Sequence, residues 1–133
     1  MLRLRLIAVF TSALACASVD NIIVAEPGVT FALPIGKTAA VVGSTTRLTF
    51  REVTEDSRCP SDAVCVWEGG AKIAVAVSRN GAPAETAILS LAPPNNEARL
   101  ADLVVRFAAL APYPATTDQG PRKYVAELVI RKL

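Results

Sequence analysis

The sequence predicts an all-β domain, an antiparallel sandwich of about seven short strands. Three observations predict it. Apolar and polar residues alternate with period two over several short runs, which marks half-buried strands. Turn signals rich in Gly, Pro, Asn and Asp recur about every 8 to 12 residues, the spacing of sandwiches and small barrels. No long segment carries the 3.6-residue period of an amphipathic helix. With 133 residues the chain has the length of one domain. Apolar residues make up 52% of it but aromatics only 5%, so thin, closely packed layers are expected rather than a ligand-holding barrel with an aromatic lining.

Residues 22–24 form a short edge strand within a linker, 16–28, and the sandwich domain runs from 29 to 133. "VTFALPIG" (29–36) and "TAAVVG" (38–43) are the first two strands of that domain. In "RLTFREV" (47–53), Leu48 and Phe50 share one face, with Arg47, Thr49 and Arg51 on the other. "VCVWE" (64–68) reads as a strand, and Gly69-Gly70 separates it from "AKIAVAVSR" (71–79), where Ile73, Val75 and Val77 point one way. Asn80-Gly81 is a hairpin signal, because a two-residue I′ turn needs φ > 0 at both positions. The return strand is "ETAILSL" (85–91), closed by Pro93-Pro94-Asn95-Asn96. "EARLADL" (97–103) reads as one helical turn or a bridging segment. "LVVRFAAL" (103–110) and "KYVAELVIRKL" (123–133) are the last strands, joined by a Pro-bounded polar loop. Leu48, Phe50, Ile73, Val75, Val77, Phe107, Leu128 and Ile130 suffice for one inter-sheet layer, and the expected sandwich is immunoglobulin-like.

The N-terminus reads "MLRLRLIAVFTSALACASV". Arg3 and Arg5 precede an apolar run from Leu6 to Leu14 and then small residues, the n-region, h-region and cleavage pattern of an export signal over residues 1–15. The run is shorter than the roughly 20 residues of a membrane span. Ala13-Leu14-Ala15 fits the small-x-small rule of the general signal peptidase and leaves Cys16 first. A cysteine there also resembles the lipobox of bacterial lipoproteins, with Ala13 and Leu14 in reversed order. Both routes stay open: soluble export to the periplasm or beyond, or a lipid anchor at Cys16, which is then the only expected membrane contact. Removing Arg3 and Arg5 from fourteen basic residues leaves twelve against twelve acidic ones. Nucleic-acid binding, which needs a clustered excess of Lys and Arg, is not expected.

Setting Cys16 aside leaves Cys59 and Cys65, and two cysteines in a small exported domain imply one disulfide. Pro60, Ser61 and Asp62 lie between them as turn formers. The bridge pins the loop before "VCVWE", with Trp67 on the same strand face as Cys65 and in position to pack on the bridge. A C-x-x-C redox pair at a helix start does not fit this spacing. With no histidine in the chain, a structural zinc site is excluded. Glu55, Asp56, Asp62 and Glu68 are hard oxygen ligands without a calcium-loop spacing; solvation or an Asp56–Arg58 pair is the commoner outcome. No cofactor is expected.

The segment "F-x-x-V-x-x-D-S-R-C-P-x-x-x-x-C-V-W-x-G", carried by Phe50, Val53, Asp56, Ser57, Arg58, Cys59, Pro60, Cys65, Val66, Trp67 and Gly69, resembles one found in small, uncharacterised exported or lipoprotein-type bacterial proteins. The resemblance covers about twenty residues and implies export and a disulfide. It makes Asp56, Ser57 and Arg58 candidate recognition residues; the alternative is that Asp56 and Ser57 serve the loop's own N–H groups while Arg58 pairs with an acid. Tyr113 is either an exposed aromatic anchor or a cap on the core. Without histidine no Ser-His-Asp or Cys-His arrangement exists, and no G-x-S-x-G, P-loop or dinucleotide fingerprint occurs. The expected function is therefore non-enzymatic: a binding or inhibitory module of the bacterial cell envelope, whose partner is a protein or envelope component, or else a structural envelope lipoprotein tethered through Cys16.

Overall fold

The computed structural model describes residues 21–133; the export signal expected over residues 1–15 and Cys16 lie outside the described residues. Nine strands form two sheets: β1 (Ile23–Ala25), β2 (Thr30–Pro34), β3 (Thr38–Val41), β4 (Thr46–Asp56), β5 (Ala71–Arg79), β6 (Glu85–Ser90), β7 (Glu97–Leu100), β8 (Leu103–Ala111) and β9 (Val125–Lys132). The first sheet has the order β1-β3-β4-β5-β6 and the second β2-β9-β8-β7. All pairings are antiparallel except β1 with β3. The edge strand expected at 22–24 exists one residue later.

The two sheets share one core. All eight residues expected in the inter-sheet layer are buried, with Leu33, Leu89, Leu103 and Val105 completing it from both sides. The Asn80-Gly81 turn forms as expected: both residues have positive φ, 52° and 69°, and Ala82 N–H donates to Arg79 O at 2.9 Å; β5 and β6, however, pair only from Val77 and Glu85 outward, so the connection is longer than two residues.

Three sequence expectations are corrected. The strand count is nine among the described residues, not about seven. "EARLADL" is no helical turn: Glu97–Leu100 is β7, paired with β8 through a two-residue turn at Ala101-Asp102. And "VCVWE" is no strand. Residues 57–70 form one long connection between β4 and β5, so Trp67 shares no strand face with Cys65 and stands 75% exposed. The run has strand-like residues, but no neighbouring strand offers a ladder to it, and period-two alternation alone cannot supply one.

The end of β4 departs from simple alternation. Its register against β5 shifts twice, between Phe50 and Glu52 and between Val53 and Glu55. Each bulge inserts one residue and returns the next inward position to the core side. Phe50, Val53 and Asp56 thus all face inward at steps of three. Phe50 is fully buried, Val53 packs against the core cluster, and the Asp56 side chain is only 6% exposed.

Candidate functional site

Two long connections meet at one end of the domain: residues 57–70 from the first sheet and 112–124 from the second. A buried carboxylate joins them. Asp56 accepts hydrogen bonds from Arg58 Nε at 2.8 Å and Arg58 Nη2 at 2.9 Å, a bidentate fork. Its Oδ2 also accepts from Arg122 Nη1 at 3.1 Å and the Tyr124 hydroxyl at 2.9 Å. Arg58 in turn donates to Leu110 O at 2.7 Å and Pro112 O at 3.0 Å, the carbonyls where β8 runs out. Its guanidinium lies 4.8 Å from the centre of the Tyr113 ring, within cation–π range. Burial pushes the Asp56 pKa up, but the hydrogen bonds from Arg58 and Tyr124 and the Arg58 charge outweigh it, leaving the carboxyl below its ordinary value.

The remaining tethers hold the loop itself. Cys59 and Cys65 are joined in a disulfide. Cys59 N–H donates to Glu68 O at 2.9 Å, Ser57 N–H to Gly70 O at 2.7 Å, and Ser61 N–H to Pro114 O at 2.9 Å. The Ser57 hydroxyl accepts from Gly70 N–H at 3.1 Å. Asp62 accepts from Thr116 N–H at 2.9 Å and from the Thr116 hydroxyl. Gly69 has φ +68°, and a Cβ there would stand 1.7 Å from Ser57 O; only glycine allows that approach.

The segment singled out in the sequence therefore divides into two. The Asp56 and Arg58 side chains turn inward and make their polar contacts with the protein's own chain, while Ser57 stays exposed. Ser57 serves a loop N–H group, as one sequence reading had it, whereas Asp56 accepts from side chains instead. Arg122 and Tyr124 were not legible as partners, because only the fold brings them to Asp56. Of the acids considered as calcium ligands, Glu55 pairs with Lys72 at 2.8 Å, Asp56 with Arg58 and Arg122, and Asp62 with Thr116; among the described residues no group of three or more His, Cys, Asp or Glu is placed to hold a metal ion.

What turns outward is apolar. Val64 is fully exposed, Val66 is 94% exposed and Trp67 75%, and Tyr113, on the 112–124 connection, is 55% exposed. Tyr113 is thus neither a core cap nor a free anchor: one face stacks on Arg58 and the rest meets solvent. At the base of this loop lies a cleft of about 400 Å³, lined by Arg58 and Cys59, by Glu68, Gly69 and Gly70, by Leu91 and Ala92, and by Tyr113. Among known proteins, no family model, curated protein or solved structure matches the chain.

Proposed function

We propose that this chain is an exported, non-enzymatic binding or inhibitory module of the bacterial cell envelope, built as an immunoglobulin-like β-sandwich, which meets its partner through the tip of the 57–70 loop. One observation carries the reading: Val64, Val66 and Trp67 are exposed on a loop that a disulfide, the Asp56–Arg58 fork and the Asp62–Thr116 contacts hold in place. Single exposed apolar residues need no explanation. Three within four positions, one of them Trp, on a tethered loop form the kind of rigid aromatic anchor that dominates protein interfaces. Pre-ordering removes much of the entropy cost of binding. The absence of histidine from the chain and the internal pairing of Asp56 and Arg58 support a role without catalysis.

The test is site-specific photo-crosslinking from position 67 in the native envelope. A discrete adduct, absent when the crosslinker stands on an outer-face position such as Thr49, is the expected result. Loss of every discrete adduct would favour the alternative, a structural lipoprotein tethered through Cys16 and acting by position.

A further inference from the structure

We infer that the loop's partner is a second copy of this chain, with Trp67 of each copy seated in the cleft beside Tyr113 of the other. The inference rests on the reading of the 57–70 loop as a contact surface and goes further by naming what it contacts.

Three observations carry it. First, the chain carries both halves of one contact on one loop: an exposed indole at Trp67, and a cleft of about 400 Å³ whose lining begins at the next residue, Glu68. A two-fold interface requires a self-complementary patch, in which one residue meets a second and the second meets the first. Second, the chemistry matches. Gly70, where a Cβ would meet nothing within 4 Å, presents no side chain to obstruct a flat ring; Leu91 and Ala92 give the cleft an apolar wall, Tyr113 an aromatic one, and Arg58 and Cys59 complete it. An indole that leaves water also needs an acceptor for its N–H, and Glu68 lies at the margin of the cleft without an ion-pair partner among the described residues.

Third, the area suffices. At the exposures of Val64, Val66, Trp67 and Tyr113, these residues present about 600 Å² per copy, so a symmetric pair that covers them fully buries about 1,200 Å², the lower bound of a stable specific interface. The loop from Cys59 to Gly70 carries Asp62 and Glu68 and no Lys or Arg, which disfavours an anionic lipid surface as the occupant.

Sedimentation equilibrium of the purified chain, combined with fluorescence of its single tryptophan, tests this directly. A monomer–dimer equilibrium is expected, with Trp67 emission moving to shorter wavelength as the dimer fills. Trp67→Ala, which removes the seated side chain, and Ala92→Trp, which fills the cleft, should each weaken dimerisation at least tenfold. Both positions are exposed, so neither change should disturb folding, and circular dichroism checks that. A mixture of the two variants keeps one intact prong and one open cleft, and should form a heterodimer that neither variant forms alone. A chain that stays monomeric to about 1 mM with solvent-like emission overturns the inference. If a position-67 adduct to a different protein still forms in the envelope, the dimer falls while the binding-module reading stands; binding of the monomer to lipid vesicles through Trp67 would likewise overturn it.

Discussion

Arg58 grips both carboxylate oxygens of Asp56 from two residues further along the chain, at 2.8 and 2.9 Å, with the two side chains only 5% and 6% exposed. Because Arg58 also donates to Leu110 O and Pro112 O, this local pair ties the end of β4 in the first sheet to the end of β8 in the second. Removing Asp56 takes the carboxylate away from the buried Arg58, which costs about 3–5 kcal/mol, whereas removing Arg58 leaves Asp56 with Arg122 and Tyr124 as partners. Asp56→Asn should show a loss of that order in urea unfolding, and Arg58→Ala a smaller one. Arg58→Lys should recover little, because an ammonium group cannot make the planar fork and reach both carbonyls.

The same pair makes stability fall in acid. The Asp56 pKa is lowered in the folded state, so its contribution is fully present above the unfolded carboxyl value of about 3.9 and is lost as pH falls through the folded value. Glu55, with its hydrogen bond from Lys72, and Asp62, with those from Thr116, shift in the same direction. Unfolding free energy should therefore be level from about pH 5 to 7 with respect to these groups and drop below about pH 4. Measured against pH, Asp56→Asn should start lower and lose less between pH 5 and 2 than the parent chain. An equal acid slope in both would mean that Asp56 does not carry the effect.

Gly69 and Gly70 form a matched pair for testing how closely the loop is fitted. A Cβ on Gly69 would meet Ser57 O at 1.7 Å and Ser57 C at 2.6 Å, whereas one on Gly70 meets nothing within 4 Å. Gly69→Ala should cost about 2–4 kcal/mol, since the loop must leave Ser57 and give up neighbouring hydrogen bonds. Gly70→Ala should fall within about 0.5 kcal/mol of the parent. Thermal unfolding of the two variants side by side decides it.

The parts of this architecture that were legible in the sequence are those governed by local pattern. Period-two runs located β4, β5, β8 and β9, and Asn80-Gly81 located the β5–β6 hairpin, because each signal needs only neighbouring residues to be meaningful. The cysteine count led to the disulfide by the same local arithmetic. Two features escaped for opposite reasons. "VCVWE" has strand-like residues but no partner strand, so propensity misled. The inward turn of Asp56 depends on two β4 bulges, which replace alternation by a period of three, and on Arg122 and Tyr124 arriving from more than sixty residues away. Nothing local in the sequence announces either.

The β7–β8 hairpin escaped for a third reason, and it yields a prediction. Leu100 pairs with Leu103, so the turn consists of Ala101 and Asp102 alone. Ala101 holds φ 51°, in the left-handed region where an alanine Cβ costs about 1–2 kcal/mol. Glycine or asparagine is the usual occupant of such a position, and without one the segment read as helix. The conformation is retained because Ala101 N–H donates to Glu85 Oε2 at 2.8 Å, Asp102 Oδ1 accepts from the buried Thr46 hydroxyl at 2.8 Å, and Leu133 N–H donates to Asp102 O at 3.0 Å. Ala101→Gly keeps all three contacts and relieves the Cβ, while its more flexible unfolded chain takes back part of the gain. A net stabilisation of about 0.5–1 kcal/mol is expected, read as a higher urea midpoint at unchanged slope. Asn80, the other non-glycine residue with positive φ among the described residues, supplies the control: its side chain tolerates that region and accepts from the Thr45 hydroxyl, so Asn80→Gly should not raise the midpoint. A midpoint for Ala101→Gly at or below that of the parent would show that the turn is not strained at this residue.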